Sequence, residues 1–250
     1  MSVLRAERLV KSFGALTAVN GVSLEVGAGT LHSVIGPNGA GKTTLFNLLT
    51  GQFPPTSGRI VFDGRDITGT PAHRVAHLGI ARSFQRTSLF PALSILDNVW
   101  LAAFARAESW RGLLWRPTTR YPALREQALR ALGEVGLEAK AGMPARALSH
   151  GEQRQLELAI ALAASPRLLL LDEPAAGLSA DETRKMVTLV RALKGRYTIV
   201  LIEHKMDVIM TISDRITVMH FGAVIAEGTP AEIQGNADVR RAYLGGIAAG

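Results

Sequence analysis

Cysteine is absent from the 250 residues, so neither a disulfide framework nor a thiolate metal site can exist, and a reducing compartment fits. Long apolar runs are absent as well. Leu158 to Ala164 and Leu168 to Leu171 fall far short of the ~20 residues that span a bilayer, so a membrane role has to pass through a partner. The opening stretch MSVLRAERLVKSFG carries Glu7 and no uninterrupted apolar segment, which does not resemble a signal peptide and leads us to expect a protein that stays in the cytoplasm. Low-complexity tracts, internal repeats and long linkers are lacking too. With 47% hydrophobic and 20% charged residues, the composition is that of a globular chain, long enough to bury about 70–75% of its unfolded surface. The formal net charge of +7 suits an anionic partner, whether polyphosphate, nucleic acid or an anionic leaflet, and equally suits scattered solubilising Arg and Lys.

Local patterns organise the chain. Extended segments are expected around Val3 to Val10 and Val22 to Val26, then a strand Leu31 to Ile35, a glycine-rich turn and a helix Lys42 to Leu49 closed by Gly51. Arg59 to Ile67 reads as a hairpin turning at Asp63-Gly64. Between about Phe84 and Ala164 the periodicity is helical, with Leu124, Ala128, Leu132 and Val135 on one face. Ser149 with Glu152, and Ser179 with Glu182, have capping-box spacing ahead of helices. Strands Arg167 to Asp172, Thr198 to Ile202 and Arg215 to Met219 alternate with these helices, which implies a mainly parallel sheet covered on both faces. One domain is expected over 1–250, with a core of about 1–84 and 165–250 and an inserted helical subdomain of about 85–164.

Gly36-Pro37-Asn38-Gly39-Ala40-Gly41-Lys42-Thr43 is a full match to the phosphate-binding P-loop, after a strand and before a helix. Its glycines let backbone N–H groups face phosphate oxygens, Lys42 reaches the β/γ-phosphates, Thr43 suits Mg²⁺, and Thr44 is placed for a further phosphate contact. Asp172 and Glu173 end an apolar strand at the edge where ligands of open α/β sheets collect. Asp172 can hold Mg²⁺, usually through water, and Glu173 can orient or deprotonate the attacking water.

Leu148-Ser149-His150-Gly151-Glu152-Gln153 resembles the signature motif of the ABC ATPase family, and the similarity extends over nearly the whole chain. The resemblance implies an α/β fold: a P-loop NTPase (RecA-like) core, an N-terminal antiparallel β region and an inserted α-helical subdomain. It implies ATP and Mg²⁺ as ligands, and a head-to-tail dimer with a second, similar or identical, ATPase subunit in which Ser149 and Gly151 of one subunit meet the γ-phosphate held by the other. Gln85 takes the place of the glutamine near Mg²⁺, His204 that of the histidine on the γ-phosphate, and Phe13 that of the aromatic stacked on adenine. The chain departs from the family pattern at His150, commonly Gly, and at Ser179, usually Asp; Ser179 is explained as a helix N-cap.

Gly79 to Gln85, Leu89-Phe90, Leu93 to Val99, Gly228 to Ile233 and Ala242 to Gly245 are most similar to the ATPases of branched-chain amino acid importers, as is the extra segment Arg106 to Pro122 with Trp110 and Trp115. The similarity implies membrane-spanning permease subunits as partners, a substrate-binding protein indirectly, no nucleic acid, and the cytoplasmic face of the inner membrane as the place of work. Transporters of amides, urea or an exported lipid carry ATPases with a similar body, and a soluble ABC ATPase acting on nucleic acid or ribosomes is the remaining reading.

Overall fold

The computed structural model describes residues 2–83, 89–107 and 121–244. Gln85, Trp110, Trp115 and Gly245 lie outside them. Strands β1 (Ser2–Phe13) and β2 (Leu16–Gly27) form an antiparallel pair. A second pair, β4 (Ser57–Phe62) and β5 (Arg65–Asp66), turns at Asp63 and Gly64 with φ of +53° and +76°. Positive φ at both central residues is the primed turn that matches strand twist. The two pairs join as one antiparallel sheet in the order β2-β1-β4-β5.

The second sheet holds β3 (Leu31–Ile35), β6 (Ile80–Arg82), β7 (Leu168–Asp172), β8 (Thr198–Ile202), β9 (Arg215–His220) and β10 (Ala223–Gly228), in the order β10-β9-β3-β8-β7-β6. Its neighbours run parallel except at the β9-β10 edge. Every residue of β3, β7 and β8 is buried, as expected of strands covered on both faces. Alternation divides them. Leu169, Leu171, Ile199 and Leu201 join one apolar core, while Leu168, Leu170, Val200 and Ile202 join another together with the antiparallel sheet.

The helices are α1 (Lys42–Leu49), α2 (Ala72–Leu78), α3 (Ile95–Ala107), α4 (Pro122–Glu134), α5 (His150–Ala163), α6 (Ala180–Leu193), α7 (Met206–Ile212), α8 (Pro230–Gly235) and α9 (Ala237–Leu244). Helices α3, α4 and α5 pack on one another, and Trp100, Phe104, Leu132 and Leu162 continue the first core down to Leu169 and Leu171. Leu45, Phe46 and Leu49 of α1 belong to the second core. A third cluster sets Ile233 and Val239 of α8 and α9 against Ile35, so the end of the chain covers the end of β3. Among the described residues no helix is long and apolar enough to cross a membrane.

Inside this frame His32 of β3 is buried, with Nε2 2.7 Å from the Thr217 hydroxyl. Burial pushes its pKa down from 6.5 to about 4, against the pull of Glu227 and with Arg215 adding to the fall. The folded state therefore favours the neutral ring and binds fewer protons than the unfolded chain. That contribution is present above pH 6.5 and is lost as pH falls toward 4. His32→Gln removes the titration, so urea unfolding at stepped pH should show a shallower loss of stability from pH 6.5 to 4 than in the parent; identical slopes would refute a neutral buried His32.

Candidate functional site

The parallel strands of the second sheet all end on one edge, so Gly36 after β3, Asp172 and Glu173 at the end of β7 and His204 after β8 gather there. Helix α1 starts at Lys42 directly beyond β3. Its N-cap, Gly41, offers no side chain, and its first turn carries no acid. The first amides of any helix lack intrahelical acceptors, so α1 presents unpaired N–H groups and positive dipole potential to the space over the sheet edge. Helices α5, α6 and α8 differ: in each, a Ser or Thr and the Glu three residues later close a capping box.

The loop between β3 and α1 can follow its path only with glycine at two positions. A Cβ on Gly36 would lie 2.1 Å from the Met219 carbonyl oxygen, and one on Gly41, at φ +97°, would lie 2.3 Å from that of Ala18. The loop is further fixed by the amide of Gly222, which donates to the Ala40 carbonyl, and Tyr243 of α9 comes close to the Gly36 amide. Burial carries the Tyr243 pKa up to about 12, against the pull of the Gly36 amide.

Lys42 is buried and its ammonium donates to the carbonyls of Gly36 at 2.7 Å and Pro37 at 3.0 Å. Desolvation lowers its pKa, while the charges of Glu173 and Asp172 pull it back up. The lysine and both carboxylates therefore share one electrostatic site. Thr43 is exposed and Thr44 half-buried in the same turn.

Asp172 is buried at the end of β7, with Oδ2 2.6 Å from Arg82 and Oδ1 without a partner. A buried carboxylate oxygen left open, close enough to Lys42 of the glycine loop to raise its pKa, is the hard oxygen donor expected of a divalent cation completed by phosphate and water. Among the described residues no group of three His, Cys, Asp or Glu assembles, so such an ion would draw most of its ligands from outside the protein.

Glu173 follows with φ +49°, a left-handed backbone that turns its side chain out of the sheet direction, and its amide donates to the Ile202 carbonyl at 2.9 Å. The His204 ring meets the Glu173 carboxylate at 2.7 Å from Nε2 to Oε1, so Nε2 carries the proton of that bond. Buried Glu203 organises both loops, accepting from the amides of Ala175 at 3.1 Å and His204 at 2.8 Å. Neither Glu203 nor Arg82 stood out in the sequence, since a lone charge beside a strand has no spacing signal. Phe13 is half exposed at the tip of β1, edge-on to Phe53 at 5.4 Å, with Lys11 5.2 Å from its ring centre.

Ser149 and Gly151 stand apart from this cluster, at the start of α5. Ser149 is exposed and accepts from the Glu152 amide, while Gly151 is buried and donates its amide to Glu182 Oε1 at 3.2 Å. Gln85 lies outside the described residues. Thus Lys42, Asp172, Glu173 and His204 converge within one chain, and Ser149 and Gly151 do not join them.

The family profile of ABC transporters matches residues 19–176, and that of the branched-chain amino acid ATP-binding cassette transporter matches residues 223–249. A high-affinity branched-chain amino acid transport ATP-binding protein, BraF, of Pseudomonas aeruginosa is 43% identical, over 97% of this chain and 98% of its own length. LivG of Escherichia coli K12, with the same description, is 41% identical over the same shares. Among solved structures, the ADP conformation of an ABC transporter's ATP-binding cassette superimposes with a TM-score of 0.88 at 32% identity, covering 98% of this chain and 99% of that one. A bacterial ABC transporter cassette in dimeric form gives 0.77 at 25% identity, over 91% and 98%.

The close approach at Gly41 makes a direct test. Gly41→Ala has to push the loop away from Ala18, and a cost of about 2–4 kcal/mol in urea unfolding is expected, with weakened ATP binding. A variant of parent stability and affinity would mean that the loop tolerates the displacement.

Proposed function

The chain belongs to the ABC transporter ATP-binding family and is an ATP-hydrolysing subunit, and from that premise we propose that it energises an importer of branched-chain or other hydrophobic amino acids. The observation that carries the amino-acid reading is 41–43% identity over nearly the full length to branched-chain amino acid transport ATP-binding proteins, joined by the match of residues 223–249 to the family of branched-chain amino acid ATP-binding cassette transporters.

In this reading Phe13 stacks on adenine and Gly36, Pro37, Asn38, Gly39, Ala40 and Gly41 wrap the phosphates with their amides. Lys42 exchanges its loop carbonyls for β- and γ-phosphate oxygens, and Thr44 adds a further contact. Thr43, Asp172 through water, and Gln85 would hold Mg²⁺, which when bound would neutralise charge on the phosphates. Glu173 orients a water in line with the γ-phosphorus and takes its proton as the new P–O bond forms; the bond to the bridging oxygen breaks, and ADP leaves with that electron pair. His204, 2.7 Å from Glu173, fixes that carboxylate, and in this reading it also holds the γ-phosphate. Ser149 and Gly151, whose hydrogen bonds run to Glu152 and Glu182 and not to the P-loop of their own chain, serve the nucleotide of a second subunit in a head-to-tail dimer, to which the start of α5 adds anion-binding groups.

The same reading assigns residues 85–164 to a helical subdomain, and the remainder to the nucleotide-binding core. Closure of two subunits around two ATP molecules moves the helical subdomains, and permease subunits docked near Gln85 receive the motion. A substrate-binding protein delivers the amino acid on the far side. The chain then works at the cytoplasmic face of the inner membrane, held there by its partners.

Glu173→Gln should keep ATP binding, lower kcat by about 10²–10⁴-fold and accumulate a nucleotide-bound dimer on size exclusion. Turnover at the parent rate would remove Glu173 from its role. In cells lacking the protein, labelled leucine uptake should return with the parent chain and stay low with Glu173→Gln. Equal uptake in all three strains would leave the ATPase standing and redirect the substrate to amides, urea or an exported lipid.

A further inference from the structure

Arg82 closes β6, and its side chain is buried at the end of β7. Nη2 lies 2.6 Å from Asp172 Oδ2, and Nη1 lies 2.6 Å from Asn47 Oδ1 on α1. Only 13% of the arginine side chain and 1% of the aspartate side chain are exposed. The guanidinium carbon sits 5.8 Å from the centre of the Phe46 ring, one residue before Asn47, so its outer face is closed by the same helix. One cation thus touches the helix that begins at the P-loop and the carboxylate at the end of the neighbouring β7, elements 35 and 90 residues away in sequence.

Two consequences follow from the geometry. The fork pins one oxygen of Asp172, which leaves Oδ1, the oxygen without a partner, as the one available to a further ligand. The guanidinium also cancels the carboxylate charge, so the pair is neutral beside a loop shaped for a polyphosphate. Lys42, whose nearest charges are Glu173 and Asp172, is then the net cation left facing the phosphates on that side.

We propose that Arg82 is a positioning residue that bridges Asn47 and Asp172, aims Asp172 Oδ1 at the Mg²⁺ of bound Mg-ATP, and by its charge sets how strongly ATP binding depends on that ion. The inference rests on the ATPase reading above. Without the guanidinium, Asp172 carries an uncompensated negative charge into the site. That charge repels ATP when no divalent ion is present and attracts the ion when it is, so both effects strengthen the coupling between metal and nucleotide.

The test measures the affinity of a non-hydrolysable ATP analogue with excess Mg²⁺ and again with EDTA, and takes the ratio of the two dissociation constants. For Arg82→Met the ratio of the EDTA value to the Mg²⁺ value should rise at least about tenfold over the parent, since one unit charge about 12 Å away at an effective dielectric of about 20 is worth about 1.4 kcal/mol and a nearer one more. A purely structural arginine would weaken both affinities alike, so an unchanged ratio overturns the proposal. Arg82→Lys keeps the charge but not the two-pronged reach; the ratio should stay within about twofold of the parent while kcat at saturating Mg²⁺ falls severalfold. A Lys variant with parent kcat would refute the positioning role, and this arm decides the matter even where the Met variant does not fold. A parent affinity that does not depend on Mg²⁺ would overturn the proposal alone; a parent chain that fails to bind the analogue under either condition would overturn the reading of the nucleotide site, and the inference with it.

Discussion

The seating of α1 on the end of β3 is the contact on which the rest of the site depends. A helix start with neither a capping side chain nor an acidic first turn is unstable by itself, because its first amides have no acceptors. It persists here because Leu45, Phe46 and Leu49 are buried in the core beneath the sheet and because the preceding loop is squeezed between Met219 and Ala18. Packing thus holds in place a polar opening that local hydrogen bonding would have closed. The capped starts of α6 and α8 show how readily this sequence supplies a Ser or Thr and a Glu where an opening is not wanted.

Parallel strands bring the remaining groups to that opening. Connections between parallel strands must cross over, so every strand finishes on the same edge and consecutive motifs of the sequence arrive side by side. The electrostatics then follow from depth. Asp172, at the buried end of β7, is tolerable only beside Arg82, whereas Glu173 one residue later is less buried and is held by a histidine. Adjacent residues of one strand end are in this way given different chemical tasks: the deeper one fixed and neutralised, the outer one turned by its left-handed backbone toward the open space.

Much of this was legible in the sequence because its signals were local. The bounds of β3 and α1, the turn at Asp63-Gly64 and both expected capping boxes are set by neighbouring residues, and the structure places them where the pattern indicated. Strand β7 was visible as an apolar run between polar ends. The three-residue β6 and the seven-residue α2 and α7 were not, since they are too short to show a period. Arg82 and Glu203 escaped for a different reason: their partners are brought near by sheet order and not by sequence, and a single charge gives no hint of which buried carboxylate or amide it will meet. The C-terminal helices belong with them, for the contact of Tyr243 with Gly36 joins opposite ends of the chain.

The two departures from the family pattern, His150 and Ser179, find a common setting. Ser179 caps α6 through the Glu182 amide, and the Glu182 carboxylate returns to the Ser179 amide and hydroxyl. Its other oxygen accepts from Gly151 in the first turn of α5, and the hydrogen bonds from Ser179 and Gly151 hold its pKa down, with His150 adding to the fall. The His150 ring also lies against Gly177, where an added Cβ would come within 3.2 Å of Nε2. One carboxylate therefore serves the starts of two helices, and serine in place of aspartate removes a second negative charge from the point where they meet. A Ser that caps costs nothing in helix stability relative to Asp, so the substitution changes the charge at this junction while leaving the packing of α6 intact.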